Sequence, residues 1–532
     1  MPSSRRTFLQ NASAFGLVTH IGSSISAQMQ HEHPEHSGEM NSAGPPIKLL
    51  HSLELTPFVD ALPLPERAQP VGQNKLRISM REIHAKVHRD VPPTRLWSYG
   101  ETALAPLIEA QAHQPFQVEW VNNLPTQHFL PIDHSLHGCG RDVPDVRAIV
   151  HLHGARVQSK YDGHPEDWFV PGKSLTCTFP FEQDATALWY HDHAMGLNRL
   201  NVYAGLFGLL LLRDRKEAAL NLPSGKYEIP LMLYDRNFTA SGQLYYPDSG
   251  APEHPWVSEF AGDAILINGK IRPYLEVEPR LYRFRIVNTA NSRFFRLALS
   301  NKQPFLQIGS DQGLLAAPVE HTALTFAPAE RLDLLIDFTQ SAGQTIHLRN
   351  NAFDILQFRV APAAAKSSSA IVPTKLRTID RIPESSAITT RTITLNEYQD
   401  KVGNSMEMLL NRKHWHDPVT ERPRLNTTEI WEFVNLTEDT HPMHLHLVRF
   451  QILDRRVFDT FAYVMHKELK FVAAAEPPAA HELGWKDVVQ CPPGMTTRII
   501  VKFEGYTGNY LYHCHVLEHE ANDMMRPLEV VS

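Results

Sequence analysis

The sequence predicts an all-β protein of three sandwich-type domains, and three observations lead there. Strand-like runs punctuated by Pro, Gly and Asn dominate, among them Phe116-Gln117-Val118-Glu119-Trp120-Val121, Leu206-Phe207-Gly208-Leu209-Leu210-Leu211-Leu212 and Thr497-Arg498-Ile499-Ile500-Val501-Lys502-Phe503. Long helical periodicity is scarce, and strands at this spacing suggest β-sandwiches. At 532 residues the chain is too long for one core, and suits about three domains of roughly 150 residues each.

Taken in order, the N-terminus comes first. Ser4-Arg5-Arg6-Thr7-Phe8-Leu9-Gln10 has the pattern of a twin-arginine export signal, followed by a weakly apolar stretch from Ala12 to Ile21. Small residues Ser24, Ser26 and Ala27 offer a cleavage point, so 1–27 is read as a leader for the Tat export machinery. The expected destination is periplasmic or extracellular, and that route carries folded proteins. A flexible His/Met-bearing segment spans 28–44, with Met29, His31, His33, His36 and Met40. Such a tract can collect metal, or serve as a solvated linker. The first domain is placed at 45–214, ending at the charged run Arg213-Asp214-Arg215-Lys216-Glu217. The second is placed at 225–361. The Ala/Ser/Pro-rich stretch from Ala361 to Pro373 opens a linker over 362–387, and the third domain fills 388–532.

The bulk numbers exclude some partners. A net charge of −7 gives no reason to expect nucleic acid, and no apolar run is long enough to span a bilayer. Four cysteines, Cys139, Cys177, Cys491 and Cys514, make no disulfide scaffold. Cys139 and Cys177 are candidates to pair in an oxidising compartment, and spacing does not decide it.

Chemistry concentrates near the C-terminus. His513-Cys514-His515 is followed by His519 and by Asp523-Met524-Met525. On a strand, successive side chains alternate between faces, so His513 and His515 point one way and Cys514 the other. Three further His-x-His pairs occur: His151/His153, His191/His193 and His444/His446. His441 lies an odd offset before His444, which sends it to the side used by Cys514. Parity therefore divides the ligands into eight paired histidines and a separate set of His441, Cys514, His519 and Met524. A thiolate, imidazoles and a weak thioether suit copper, above all a trigonal His₂Cys site with a long axial Met. Structural zinc favours paired-Cys spacings that are absent here. Two His-x-His pairs fall in the first domain and two in the third, so the eight-histidine cluster is expected between them. The middle domain is expected to act as a spacer.

With those residues assembled, the chain resembles a three-domain multicopper oxidase. The four motifs stand in order as His151-Leu152-His153-Gly154, Trp189-Tyr190-His191-Asp192-His193, His441-Pro442-Met443-His444-Leu445-His446 and His513-Cys514-His515. Leu130-Pro131-Ile132-Asp133-His134, Pro328-Ala329-Glu330-Arg331, Trp415-His416-Asp417-Pro418-Val419 and Gly484-Trp485-Lys486-Asp487 are similar to the bacterial spore-coat laccase and bilirubin oxidase group. The resemblance implies three cupredoxin-like Greek-key domains and four copper ions. It makes His441, Cys514, His519 and axial Met524 the type 1 ligands, and His151 and His444 the type 2 ligands. His153, His191, His193, His446, His513 and His515 match the type 3 pair. Asp162 and Glu520 match acidic positions that relay protons, and Cys514 would carry electrons between centres.

The activity implied is oxidation of phenols, aromatic amines or tetrapyrroles, a small-molecule aromatic reductant in each case, with O2 reduced to water. Oxidation of Cu(I) for copper tolerance is the alternative, and a non-enzymatic exported relative of the family is a second. A monomer is expected.

Overall fold

The computed structural model describes residues 47–362, 371–401 and 403–532. The leader over 1–27, the segment over 28–44 and the 363–370 part of the expected linker lie outside the described residues. Strands pair within three consecutive stretches of chain. Between 75 and 213 there are two four-stranded sheets, one ordered Thr94–Tyr99, Lys75–Ala85, Phe116–Asn123, Ser174–Phe179. The other is ordered Ile108–Gln111, Phe207–Arg213, Thr186–Asp192, Val150–His153. An eight-stranded and a five-stranded sheet occupy 228–360, and a five-stranded and a four-stranded sheet occupy 387–530. Among the described residues the four α-helices run to seven residues at most, and none is long and apolar enough to cross a membrane.

Alternation explains the outer strands: Lys75–Ala85 buries Leu76, Ile78 and Met80 and turns the residues between them outward. Strands that carry the paired histidines break the rule. Every residue of Thr186–Asp192 and of His441–Leu445 is buried, because both faces are covered. One apolar cluster runs from Leu55 to Val530 through all three stretches. The described part of the expected linker is strapped down. The Leu376 amide donates to the Ala316 carbonyl at 2.9 Å, and Arg381 to the Ile452 carbonyl at 2.8 Å. Arg377 and Arg449 both donate to Asp184, at 2.5 and 2.9 Å.

All four cysteines are free and buried. Cys177 lies on Ser174–Phe179 opposite Val118, inside the sandwich, whereas Cys139 sits in a loop against Gly196 and Arg147. Cys139 and Cys177 therefore do not pair.

Candidate metal centres

Register brings the first histidine of each pair to its neighbour. In the antiparallel pairing of Val150–His153 with Thr186–Asp192, His151 lies opposite His191. In the pairing of His441–Leu445 with Gly508–Cys514, His444 lies opposite His513 and Met443 opposite Cys514. Parity does not place the second residues of three pairs. His193, His446 and His515 each follow the end of their strand, and backbone bonds to Ile149, Leu511 and Pro442 hold them. All eight rings nevertheless converge. His151 stacks on His446 with centroids 3.9 Å apart, and His153 on His444 at 3.7 Å. His193 and His513 meet edge-on at 5.1 Å, and His191 lies 5.3 Å from His515.

Hydrogen bonds fix which nitrogen faces the cluster for most of the rings. His151 Nδ1–H donates to the Asp162 carbonyl at 2.5 Å and His444 Nδ1–H to the Asp487 carbonyl at 2.7 Å. His191 Nδ1–H donates to the Asp192 carbonyl at 2.9 Å. In all three the Nε2 lone pair is buried without a partner. His153 uses Nε2–H on Asp487 at 3.2 Å and leaves Nδ1 unpartnered, and both nitrogens of His515 are unpartnered. His446 Nδ1–H donates to the Asp162 carboxylate at 2.7 Å. His513 Nδ1 and His193 Nδ1 lie 3.1 and 3.4 Å from Glu520. The Nε2 of His446 then faces the Nε2 of His513 at 3.2 Å, with the Nδ1 of one on Asp162 and the Nδ1 of the other on the Cys514 carbonyl at 3.0 Å, and His193 Nε2 lies 3.4 Å from the same atom.

Buried lone pairs aimed at one another are costly unless something cationic lies between them. Ligand atoms this far apart suit an ion about 2.0–2.1 Å from each nitrogen. Burial favours the neutral form of seven of these rings, as metal ligation requires. It pushes His191 and His444 down to about 3 and His193 to about 4, and it lowers His151, His153, His446 and His515 further. Asp162 is raised well above the usual carboxylate range by burial. Burial also disfavours the Glu520 carboxylate, but neighbouring His513 and His193 outweigh it and bring the group to about 2.

The second set gathers on the other face. Cys514 Sγ lies 3.5 Å from His441 Nδ1 and 3.7 Å from His519 Nδ1, and the two nitrogens are 3.2 Å apart. His519 stands on the short helix Leu517–Ala521. Met524 is fully buried and tied by its backbone to both neighbours, donating to the His519 carbonyl at 2.9 Å and accepting from the Cys514 amide at 3.0 Å. Thr437 Oγ1 donates to Asn435 at 2.9 Å, so its lone pair takes the Nε2–H of His441 at 2.6 Å. That leaves His441 Nδ1 free to face the sulfur. Burial pushes the Cys514 thiol well up and His441 down to about 3, a penalty that a bound cation offsets.

Sequence reasoning missed several supports. Asp487 holds both His153 and His444 and is itself clamped by Arg331, which donates to it through Nη1 at 2.7 Å and through Nη2. Gln312 also donates to Asp487, at 2.6 Å. Gly154, beside His153, permits this approach: at φ +84° a Cβ would lie 2.6 Å from Asp487 and 2.8 Å from Arg331. Arg331 and Gln312 belong to the middle stretch, so it is more than a spacer. It also holds the helix bearing His519. Tyr246, Asn291 and Ser292 donate to the Glu518 carboxylate at 2.6 to 2.7 Å, and Trp256 to the Glu518 carbonyl at 3.0 Å.

Known proteins similar to this chain are numerous. Family models described as multicopper oxidase match residues 143–217 and 383–532. A laccase of Bacillus stratosphericus is 45% identical over 511 residues, covering 90% of this chain and 100% of its own. A laccase of Bacillus subtilis is 44% identical and covers 90% and 99%. The crystal structure of the McoA multicopper oxidase of Aquifex aeolicus superposes with a TM-score of 0.74 at 30% identity, covering 89% of this chain and 99% of that one.

Proposed function

The chain belongs to the multicopper oxidase family, and from that premise we propose a laccase-type oxidase that takes single electrons from phenols, aromatic amines or tetrapyrroles and reduces O2 to water. One observation carries the reading. Cys514 belongs to the mononuclear set while its neighbours His513 and His515 belong to the cluster, so three consecutive residues join an electron-accepting centre to an oxygen-reducing one. Copper bound at these residues supplies the one-electron redox chemistry. His441, Cys514, His519 and Met524 would hold the type 1 ion. His151 and His444 would hold the type 2 ion, and His153, His191, His193, His446, His513 and His515 the type 3 pair.

The chain's own contribution is positioning, exclusion of water and supply of protons. Burial of every cluster ring keeps bulk water out. Asp162 touches His446, and Glu520 touches His193 and His513, so each carboxyl is placed to pass protons to the site where water forms. Asn198 Nδ2 donates to Glu520 at 2.6 Å and orients it.

The test is metal content with colour. Copper-loaded protein should be intensely blue from the Cys514 thiolate and bind about four coppers, the number its twelve ligands imply. Colourless protein with one copper or fewer overturns the proposal. Comparing turnover of a phenol, a tetrapyrrole and Cu(I) on one preparation ranks the substrates. Preference for Cu(I) would favour the cuprous-oxidase reading, which draws on His31, His33, His36, Met29 and Met40. Export of the folded protein is the reading that Arg5-Arg6 supports, and Arg5→Lys with Arg6→Lys should retain the precursor in the cytoplasm.

A further inference from the structure

Away from both centres, four ligand-type side chains from three distant segments meet on the surface next to the Met524 loop. His137 comes from the loop after Leu136, Glu407 from the strand Ser405–Leu410, His414 from the turn beyond it, and Asp523 from the turn before Met524. His137 Nδ1 lies 2.8 Å from one Asp523 oxygen, and His414 Nδ1 lies 3.1 Å from the other. The same His414 Nδ1 is 3.0 Å from a Glu407 oxygen. A third ring, His416, packs edge-on against His137 with centroids 4.6 Å apart.

Hydrogen bonding alone accounts poorly for this. One ring N–H points in one direction, yet two carboxylates approach the same nitrogen of His414 at nearly equal distance. The two carboxylates also share a small space without a permanent cation: among the described residues, no lysine or arginine side chain pairs with Glu407 or Asp523. The separations of 2.8 to 3.1 Å are a few tenths of an ångström shorter than the roughly 3.3–3.6 Å between ligand atoms of a tetrahedral ion, so small side-chain shifts bring these atoms to ligand distance. The positions are accessible, His414 about half exposed and His137 partly so.

We propose that His137, Glu407, His414 and Asp523 form a further binding site for a borderline divalent transition metal, of the Zn2+ or Cu2+ class, separate from the catalytic coppers. Two imidazoles with two carboxylates suit such ions. Binding would cross-link three segments, among them the turn that leads into Met524.

Copper-loaded protein titrated with Zn2+ by calorimetry tests the site, because zinc is redox-silent. Wild type should bind one tight equivalent of Zn2+. Glu407→Gln with His414→Ala should weaken that step by more than the roughly 10–100-fold that losing an outer partner costs, with the blue band and phenol oxidation retained. His31→Ala, His33→Ala and His36→Ala together should leave the tight step intact. Persistence of the step in the Glu407/His414 variant, or its loss in the N-terminal variant, overturns the proposal. So does absence of tight Zn2+ binding in wild type. Retained blue colour in the double variant shows that it has folded.

Discussion

The two centres are built differently, although three consecutive residues join them. The mononuclear set is local to one sandwich: Thr437, His441, Cys514, His519 and Met524 all come from the last stretch of strands. The histidine cluster draws two pairs from the first stretch and two from the last, and its supports from all three: Asp162, Arg331 with Gln312, and Asp487 with Glu520. His446 reaches Asp162 across 284 residues and His153 reaches Asp487 across 334. One centre takes all its ligands from a single domain. The other is a product of docking three.

Four substitutions sharpen or break that contrast. Cys514→Ser should abolish the blue band and substrate oxidation altogether while the cluster still loads copper; paramagnetic resonance retaining a type 2 signal checks it, and a surviving blue band would refute the assignment. Asp487→Ala should strike the cluster alone. It leaves Arg331 buried without its carboxylate, a loss of about 3–5 kcal/mol, and frees the His153 ring. Type 3 copper should be depleted and unfolding should come at lower denaturant, with the blue band intact and His444 still held by the residue-487 carbonyl; equal loss from both centres would mean that they are not separable. Glu520→Gln keeps shape but removes a proton carrier. Reoxidation by O2 should slow about 10²-fold while reduction by substrate is unchanged, which stopped-flow separates. Thr437→Val should be the mildest, costing about 1 kcal/mol and loosening His441. A shifted blue band with unchanged cluster signals is the expected spectrum.

Legibility in the sequence follows the same contrast. An offset of two residues is local information, so the His-x-His pairs and the opposite direction of Cys514 could be read from strand geometry. Three of the second histidines lie beyond their strands, and their convergence depends on long-range backbone bonds that parity does not describe. Asp487 and Arg331 are 156 residues apart and carry no spacing signal. Thr437, four before His441, had a local signal in its hydroxyl, but nothing in the pattern shows that this hydroxyl accepts from an imidazole. The fully buried strand Thr186–Asp192 shows no alternation, so its identity as a strand rests on its neighbours. The all-β architecture was legible because the outer strands keep one wet face.

The short helix Leu517–Ala521 has a consequence for how the protein matures. Successive positions on a helix are turned by about 100°, and here three in a row serve three clients. Glu518 is gripped by Tyr246, Asn291 and Ser292, His519 faces Cys514, and Glu520 faces His193 and His513. The helix therefore works as a checkpoint. Until the middle sandwich has seated Glu518, neither of the next two side chains has its final direction, and copper delivered early would meet two unfinished sites.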